Sequence, residues 1–215
     1  MKVFPNQNRI YFISTMLLLW IGTNAMAIEK AKYDIVASDL DFELRQYGPQ
    51  IVAETLVEGD FEKVGNEGFR RLYDYISGNN RKKQSIAMTA PVTQEVESVE
   101  IAMTAPVSQV QMDNKWRITF MMPSEFSMED LPEPLDPRIT LKREPGRLVA
   151  ALKYSGTWSK SRYEEKKQTL EELMNKRGLQ PAGEPVWARY DPPFMPWFLR
   201  RNEVLIAVEG ESNVE

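Results

Sequence analysis

Two different periods of apolar residues follow each other in the first part of the chain. Apolar and polar side chains alternate over residues 32–45 and 50–58, which is typical of half-buried strands. From Phe61 to Ser77 the apolar side chains instead recur every three or four residues, which predicts a helix. Asp60 is the expected N-cap of this helix, and Gly78 is expected to end it.

Two glycines stand in the middle of this predicted helix. Gly65 and Gly68 each lower helix stability by about 1 kcal/mol relative to alanine. We therefore expect another part of the molecule to stabilise the helix at these positions or to approach it closely.

The rest of the chain contains the same types of element. A Pro-rich stretch at 123–137 predicts an exposed linker. Residues 159–177 predict a second helix, with Ser159 as its N-cap and Gly178 as its end. Further strands are predicted at residues 85–93, 100–110, 115–122, 138–144, 147–155, 184–190 and 203–209.

The two halves of the chain correspond without gaps at a spacing of 97 residues. Gly59 corresponds to Gly156, and the aromatic residues at the two predicted helix starts, Phe61 and Trp158, also correspond. The apolar pairs are Leu44–Leu141, Val52–Val149, Ala53–Ala150 and Ile76–Leu173. This joint match indicates an internal duplication. We predict an α+β fold in which a duplicated β-α-β-β type unit forms a distorted antiparallel β-barrel flanked by two helices.

The heptapeptide Ile-Ala-Met-Thr-Ala-Pro-Val occurs twice, at 86–92 and 101–107. Each copy reads as a strand that ends at its proline. The two copies can form a hairpin across residues 93–100, or they can compete for one position in the sheet through a 15-residue shift.

Residues 1–27 have the features of a secretory signal peptide. Basic residues precede an apolar run from Ile10 to Ile21, and Ala25–Ala27 supplies the small residues for cleavage. This run is shorter than the roughly 20 residues that cross a bilayer. We therefore expect cleavage near Ala27–Ile28, one mature domain over 28–215 without a stable membrane anchor, and a periplasmic or secreted location.

The composition excludes several kinds of site. The chain has no cysteine and no histidine, so disulfides, Ser-His-Asp catalysis and His-ligated zinc or haem are impossible. The net charge is −4, and loss of residues 1–27 makes it −6 because they carry two basic residues and no acidic one. An acidic domain argues against nucleic-acid binding. No catalytic or metal-binding residues are predicted, and the protein is not expected to be an enzyme.

A stiff aromatic segment covers residues 190–203, between the last two predicted strands. It contains three prolines, several large apolar or aromatic residues and the pair Arg200 and Arg201. One interpretation is a loop that folds back onto the core. The other is a lid over a flat apolar ligand with carboxylates, because arginine binds a carboxylate through two parallel hydrogen bonds.

At four places the chain resembles the SOUL haem-binding protein family. These are Met88–Val92, Trp116–Pro123 with its Met-Met-Pro end, Gly156–Trp158, and the Tyr-Asp-Pro-Pro to Arg-Arg-Asn-Glu segment at 190–203. The resemblance spans residues 32–209. It implies a barrel-like fold shared with the effector-binding domains of gyrase-inhibitor-like proteins, and non-covalent binding of haem b or another tetrapyrrole.

The resemblance also implies where the ligand lies, in an apolar cleft between the first helix and the loop before the last strand. The expected cofactor-binding residues are Asn66, Phe69, Arg70, Tyr73, Phe194, Met195, Trp197, Phe198, Arg200 and Arg201. This chain departs from the family in two respects. It lacks the histidine that ligates iron in some members, and Asn66 and Asp74 occupy helix positions credited elsewhere with basic residues that hold propionates.

The implied function is that of a tetrapyrrole carrier or buffer. Burial of about 400 Å² of porphyrin contributes roughly 10 kcal/mol, so micromolar binding is possible without an iron ligand. Methionine or tyrosine can also ligate iron, and Met195, Tyr73 and Met88 are the candidates. The alternative is a sensor or binding module for another flat lipophilic molecule.

Overall fold

The computed structural model describes residues 28–82 and 98–209. Its two helices are α1 (Phe61–Ile76) and α2 (Lys160–Lys176), and a short 3₁₀ helix covers Trp197–Leu199. The strands are β1 (Glu29–Lys30), β2 (Tyr33–Asp39), β3 (Phe42–Tyr47), β4 (Gln50–Glu58), β5 (Asn80–Arg81), β6 (Thr104–Ala105), β7 (Val107–Met112), β8 (Lys115–Met121), β9 (Glu133–Pro134), β10 (Ile139–Glu144), β11 (Arg147–Tyr154), β12 (Val186–Arg189) and β13 (Asn202–Ala207).

Nine of these strands form one antiparallel sheet in the order β10-β4-β8-β7-β12-β13-β11-β3-β2. The sheet curls into a half-barrel, and both helices pack against one of its faces. The main core lies between them, where Phe61 stacks on Trp187 with ring centroids 4.8 Å apart. A smaller apolar cluster around Val149, Ala151 and Leu205 lies on the opposite face. The predicted α+β class with two flanking helices is confirmed.

The order of the strands is symmetric. If β3 is exchanged with β10, β4 with β11, β7 with β12 and β8 with β13, the resulting list of eight strands is the original list read from the other end. The bounds of β3 and β10 also differ by the 97 residues found in the sequence. The turn at 47–50 joins strands that do not pair with each other, because β3 pairs with β11 and β4 pairs with β10.

Two predictions about the connections were wrong. Residues 32–45 form two strands, because the chain reverses at Leu40, which has a φ of 53° and a fully exposed side chain. The stretch 123–137 is not a simple exposed linker. Leu131 is completely buried in the core, and the Pro132 carbonyl accepts a hydrogen bond from the Tyr75 hydroxyl at 2.9 Å.

The two glycines of α1 mark close approaches, as expected. A Cβ on Gly68 would lie 2.4 Å from Ile118 Cγ1, and one on Gly65 would lie 2.8 Å from Gln109 Oε1. At residue 68 only glycine therefore lets the helix lie this close to the sheet, whereas at Gly65 the contacted atoms are the ends of flexible side chains. Asp60 is the N-cap residue but makes no side-chain capping bond, whereas the Ser159 hydroxyl accepts a hydrogen bond from the Arg162 backbone amide.

Three predictions fall wholly or mainly outside the described residues: the signal peptide at 1–27, the strand at 85–93 and the first heptapeptide at 86–92. In the second copy, Ile101 is buried and Thr104–Ala105 pairs with β1. Within residues 28–82 and 98–209, no helix has the length and apolarity to cross a membrane.

Candidate functional site

A cavity of about 180 Å³ opens between α1, β6 and the segment that follows β12. Its walls are mainly apolar. The lining residues that bear on its chemistry are Asn66, Phe69, Met103, Trp158, Arg189, Tyr190, Asp191, Pro192 and Pro193. The cleft therefore lies between the first helix and the start of the loop before the last strand.

The helix side of the predicted site is partly assembled at this cavity. Asn66 and Phe69 line it, and the Tyr73 ring stacks on Phe69 with centroids 5.8 Å apart. Tyr73 is 48% exposed, so one part of its ring remains open to a ligand. Arg70 is exposed on α1 and does not line the cavity.

The loop side consists of aromatic residues on the protein surface. Phe194, Trp197 and Phe198 are 84%, 56% and 58% exposed, and Leu199 beside them is exposed as well. None of them lines the cavity, which ends at Pro192 and Pro193. Such a contiguous run of exposed apolar side chains is typical of a binding surface.

Arg200 stabilises the loop from within. Its Nε donates to the Met195 carbonyl at 2.8 Å, and its Nη2 donates to the Pro193 carbonyl at 2.6 Å. The guanidinium also stacks 4.4 Å from the centre of the Trp158 ring. These contacts give the loop a defined shape and occupy much of the hydrogen-bonding capacity of Arg200.

Arg201 has a different partner from the one expected. Its Nε and Nη2 donate to Glu203 Oε1 at 3.0 and 2.7 Å, and its backbone amide donates to Asp191. Glu203 is completely buried and is also bound by Arg45. The structure therefore pairs half-buried Arg201 with a buried carboxylate, so its charge is already compensated within the fold.

Arg189 was not predicted from the sequence, although it lines the cavity. It is 9% exposed, and its Nε and Nη2 have no hydrogen-bond partner within the part of the chain that the structure describes. Burial lowers its pKa to about 10, an effect that nearby Tyr154 partly offsets. The sequence did carry a signal for the location of Arg189. It comes two residues after Trp187, and because side chains alternate along a strand, both lie on the helix-covered face of the sheet.

Comparison with known proteins identifies the family of this chain. Residues 28–207 match the family model described as SOUL heme-binding protein. The chain belongs to the SOUL haem-binding family. Heme-binding protein 2 of Mus musculus is 30% identical over 201 residues, covering 90% of this chain and 93% of that protein. Heme-binding protein 1 of Xenopus laevis is 25% identical, covering 82% and 86%.

Solved structures show that other proteins share the fold of this SOUL domain. The crystal structure of the EcmrR C-terminal domain superposes with a TM-score of 0.56 at 11% identity, covering 82% of this chain and 98% of that one. An uncharacterized conserved protein from Listeria innocua superposes with a TM-score of 0.51 at 11% identity, covering 86% of this chain and 94% of that one. At such low identity, the likeness concerns the fold alone.

The cleft of this SOUL domain thus differs from the predicted one in its charged residues. Of the predicted residues, Asn66 and Phe69 line the cavity, and Trp158 and Met103 line it as well. Among the described residues, the basic side chain that lines the cavity is Arg189, and the acidic one is Asp191.

Proposed function

We propose that this SOUL domain binds haem or a related tetrapyrrole non-covalently and acts as a carrier or buffer without catalysing a reaction. The observation that carries the proposal is the apolar cavity beside α1, next to a loop whose aromatic residues are exposed. Family membership supports a tetrapyrrole as the ligand.

The cavity is smaller than the ligand that we propose for it. Its volume of about 180 Å³ is below the roughly 300–1,000 Å³ of typical ligand pockets. One edge of a macrocycle would enter the cavity, and its face would rest on the exposed rings of Trp197 and Phe198. A site that covers the ligand only partly favours exchange, which suits a carrier or buffer.

Iron need not contribute to this mode of binding. The sequence has no histidine, and Met103 is the sulfur-containing residue that lines the cavity among the described residues. Met195 is half-buried in the loop, and Tyr73 is exposed on α1. We therefore expect the apolar contacts to supply most of the affinity, at roughly 25 cal/mol per Å² of buried apolar surface.

The test is a titration of the mature protein with hemin and, separately, with metal-free protoporphyrin IX. A saturable shift of the Soret band is expected for both, with dissociation constants that differ by less than about fivefold, or about 1 kcal/mol. A response that stays linear with added porphyrin would contradict the proposal. A clear preference for hemin would indicate an iron ligand instead.

Two exposed residues allow a test of the loop. Replacement of Trp197 and Phe198 by serine should weaken porphyrin binding about tenfold or more and leave the unfolding free energy almost unchanged. The control is Leu40→Ser, which removes an exposed apolar side chain from the β2–β3 turn. If the double variant binds as well as the control, the loop does not contact the ligand.

The second candidate is a binding module for another flat lipophilic molecule, and the small volume of the cavity favours it. Under this function a planar apolar dye of two or three fused rings would fit the cavity more completely than a porphyrin. Competition distinguishes the two candidates. The dye should displace protoporphyrin at similar or lower concentrations if the second candidate is correct.

Two further proposals concern the origin and location of the domain. The symmetric strand order and the 97-residue spacing support an internal duplication. The features of residues 1–27 support export and cleavage near Ala27–Ile28. The mass of the protein recovered from a periplasmic extract tests the second proposal, and a chain that retains residues 1–27 would contradict it.

A further inference from the structure

We propose that Arg189 is the anion-binding residue of the cleft and that it selects flat apolar ligands carrying a carboxylate. The proposal rests on the location of the proposed site, although it does not require that the ligand be a tetrapyrrole. It differs from the carboxylate contacts that the sequence led us to expect of Arg200 and Arg201.

The first argument is the unsatisfied state of this guanidinium. Arg189 lines the cavity and is nine-tenths buried, yet its Nε and Nη2 donate no hydrogen bond to any described residue. The described acidic residue of the lining, Asp191, makes no ion pair with it and instead accepts a hydrogen bond from the Arg201 backbone. A buried charge without a partner is unfavourable in the free protein and is relieved by a bound anion.

The second argument is that the surroundings hold Arg189 in place without neutralising it. Its guanidinium carbon lies 4.9 Å from the centre of the Trp187 ring and 5.2 Å from that of Trp158. Aromatic faces attract a cation but accept none of its N–H hydrogen bonds in the plane of the guanidinium. Nε and Nη2 therefore remain without a hydrogen-bond acceptor among the described residues.

The third argument is the glycine beside it. A Cβ on Gly65 would lie 3.0 Å from Arg189 Nη2 and 2.8 Å from Gln109 Oε1. Because residue 65 has no side chain, helix α1 leaves the guanidinium in its present position. This gives a functional reason for a glycine that weakens the middle of the helix.

The chemistry of the lining indicates a carboxylate as the anion. One guanidinium supplies one positive charge and a planar pair of donors, which match the charge and geometry of a carboxylate. A phosphate monoester carries up to two charges, and among the described lining residues no second cation is present to balance them. The remaining walls, including Phe69 and Met103, suit an apolar body attached to the carboxylate.

The experiment compares acids with their neutral esters in wild type and in Arg189→Met. The probes are protoporphyrin IX with its dimethyl ester, and 2-naphthoate with its methyl ester. Wild type should bind each acid about 10- to 100-fold more tightly than its ester, the effect of one charge-assisted hydrogen-bonded pair. Arg189→Met should lose this preference mainly through weaker binding of the acid, and Arg189→Lys should keep part of it.

The outcomes separate this inference from the proposed function. If porphyrins fail to bind but 2-naphthoate shows an acid preference that Arg189→Met removes, the anion site is supported and the tetrapyrrole is not. If porphyrins bind and acid and ester bind equally to wild type, the anion site is contradicted while the proposed function stands. A preference that persists in Arg189→Met also contradicts it.

Discussion

Two buried arginines of this protein differ in whether a carboxylate is paired with them. Arg45 lies on the open face of the sheet and is 1% exposed, while Arg189 lies on the helix-covered face and is 9% exposed. Arg45 Nη1 and Nη2 donate to the two carboxylate oxygens of Glu203 at 2.7 and 2.9 Å, and its Nε donates to Glu43. Arg189 has no such partner among the described residues.

The pKa values of the two guanidiniums express this difference. Burial lowers the pKa of both groups, but the carboxylate of Glu203 outweighs it for Arg45 and raises that pKa above its usual value. The pKa of Arg189 falls to about 10. The fold therefore compensates the buried charge of Arg45 with a carboxylate. The buried charge of Arg189 is left to be compensated by a ligand.

The largest effect is expected from removing the partner of Arg45. Glu203→Gln leaves Arg45 and Arg201 without their shared carboxylate in a buried place, so the unfolding free energy should fall by about 3–5 kcal/mol. Urea denaturation measures the change. The control is Glu129→Gln, which breaks an exposed pair with Arg143 and should change stability by less than about 1 kcal/mol.

A part of the same stabilisation should depend on pH. Burial alone raises the pKa of Glu203, but Arg45 and Arg201 outweigh burial and hold it below its usual value of 4.5. Because the folded pKa is the lower one, the stabilisation is complete above pH 4.5 and is lost as the pH falls through the folded pKa. The urea midpoint of wild type should fall as the pH is lowered from 7 to 3. In Glu203→Gln the part of this fall that comes from Glu203 should be absent.

The glycines of α1 should show an intermediate effect. In Gly68→Ala the new methyl group would meet the branched Ile118 side chain, including its Cβ at 2.7 Å, and stability should fall by about 1–3 kcal/mol. In Gly65→Ala it would meet the ends of the Gln109 and Arg189 side chains, which can move. We expect a smaller loss of stability there, together with a weaker preference for carboxylates. Equal losses of stability in both variants would show that Arg189 cannot be displaced.

The smallest effect is expected from removing Arg189 itself. Arg189→Met removes an uncompensated buried charge, which should raise the unfolding free energy. It also removes the stacking on Trp158 and Trp187, which should lower it. The unfolding free energy of the ligand-free protein should therefore stay within about 1 kcal/mol of wild type or increase. A loss of 3 kcal/mol or more, as expected for the Arg45 pair, would mean that Arg189 has a structural partner and is not reserved for a ligand.

The sequence alone determined the parts of this protein that depend on neighbours along the chain. The period of apolar residues located α1, and the capping signals Ser159 and Gly178 located α2, each within a few residues. Gly65 and Gly68 revealed a close approach, since glycine in a helix needs a compensating contact. The chain reversal at Leu40 was missed because an apolar residue in a left-handed conformation carries no turn signal.

Only the tertiary structure decided which charges are paired. Arg201 and Arg200 are adjacent in the sequence, yet the first binds buried Glu203 and the second binds carbonyls of its own loop. Arg189 follows the same strand pattern as an ordinary core residue, and its position beside Gly65 depends on how α1 packs on β12. The other partner of Glu203, Arg45, is 158 residues away in the sequence. Contacts of this kind depend on the packing of distant segments, so local sequence patterns could not identify the anion-binding residue of the cleft.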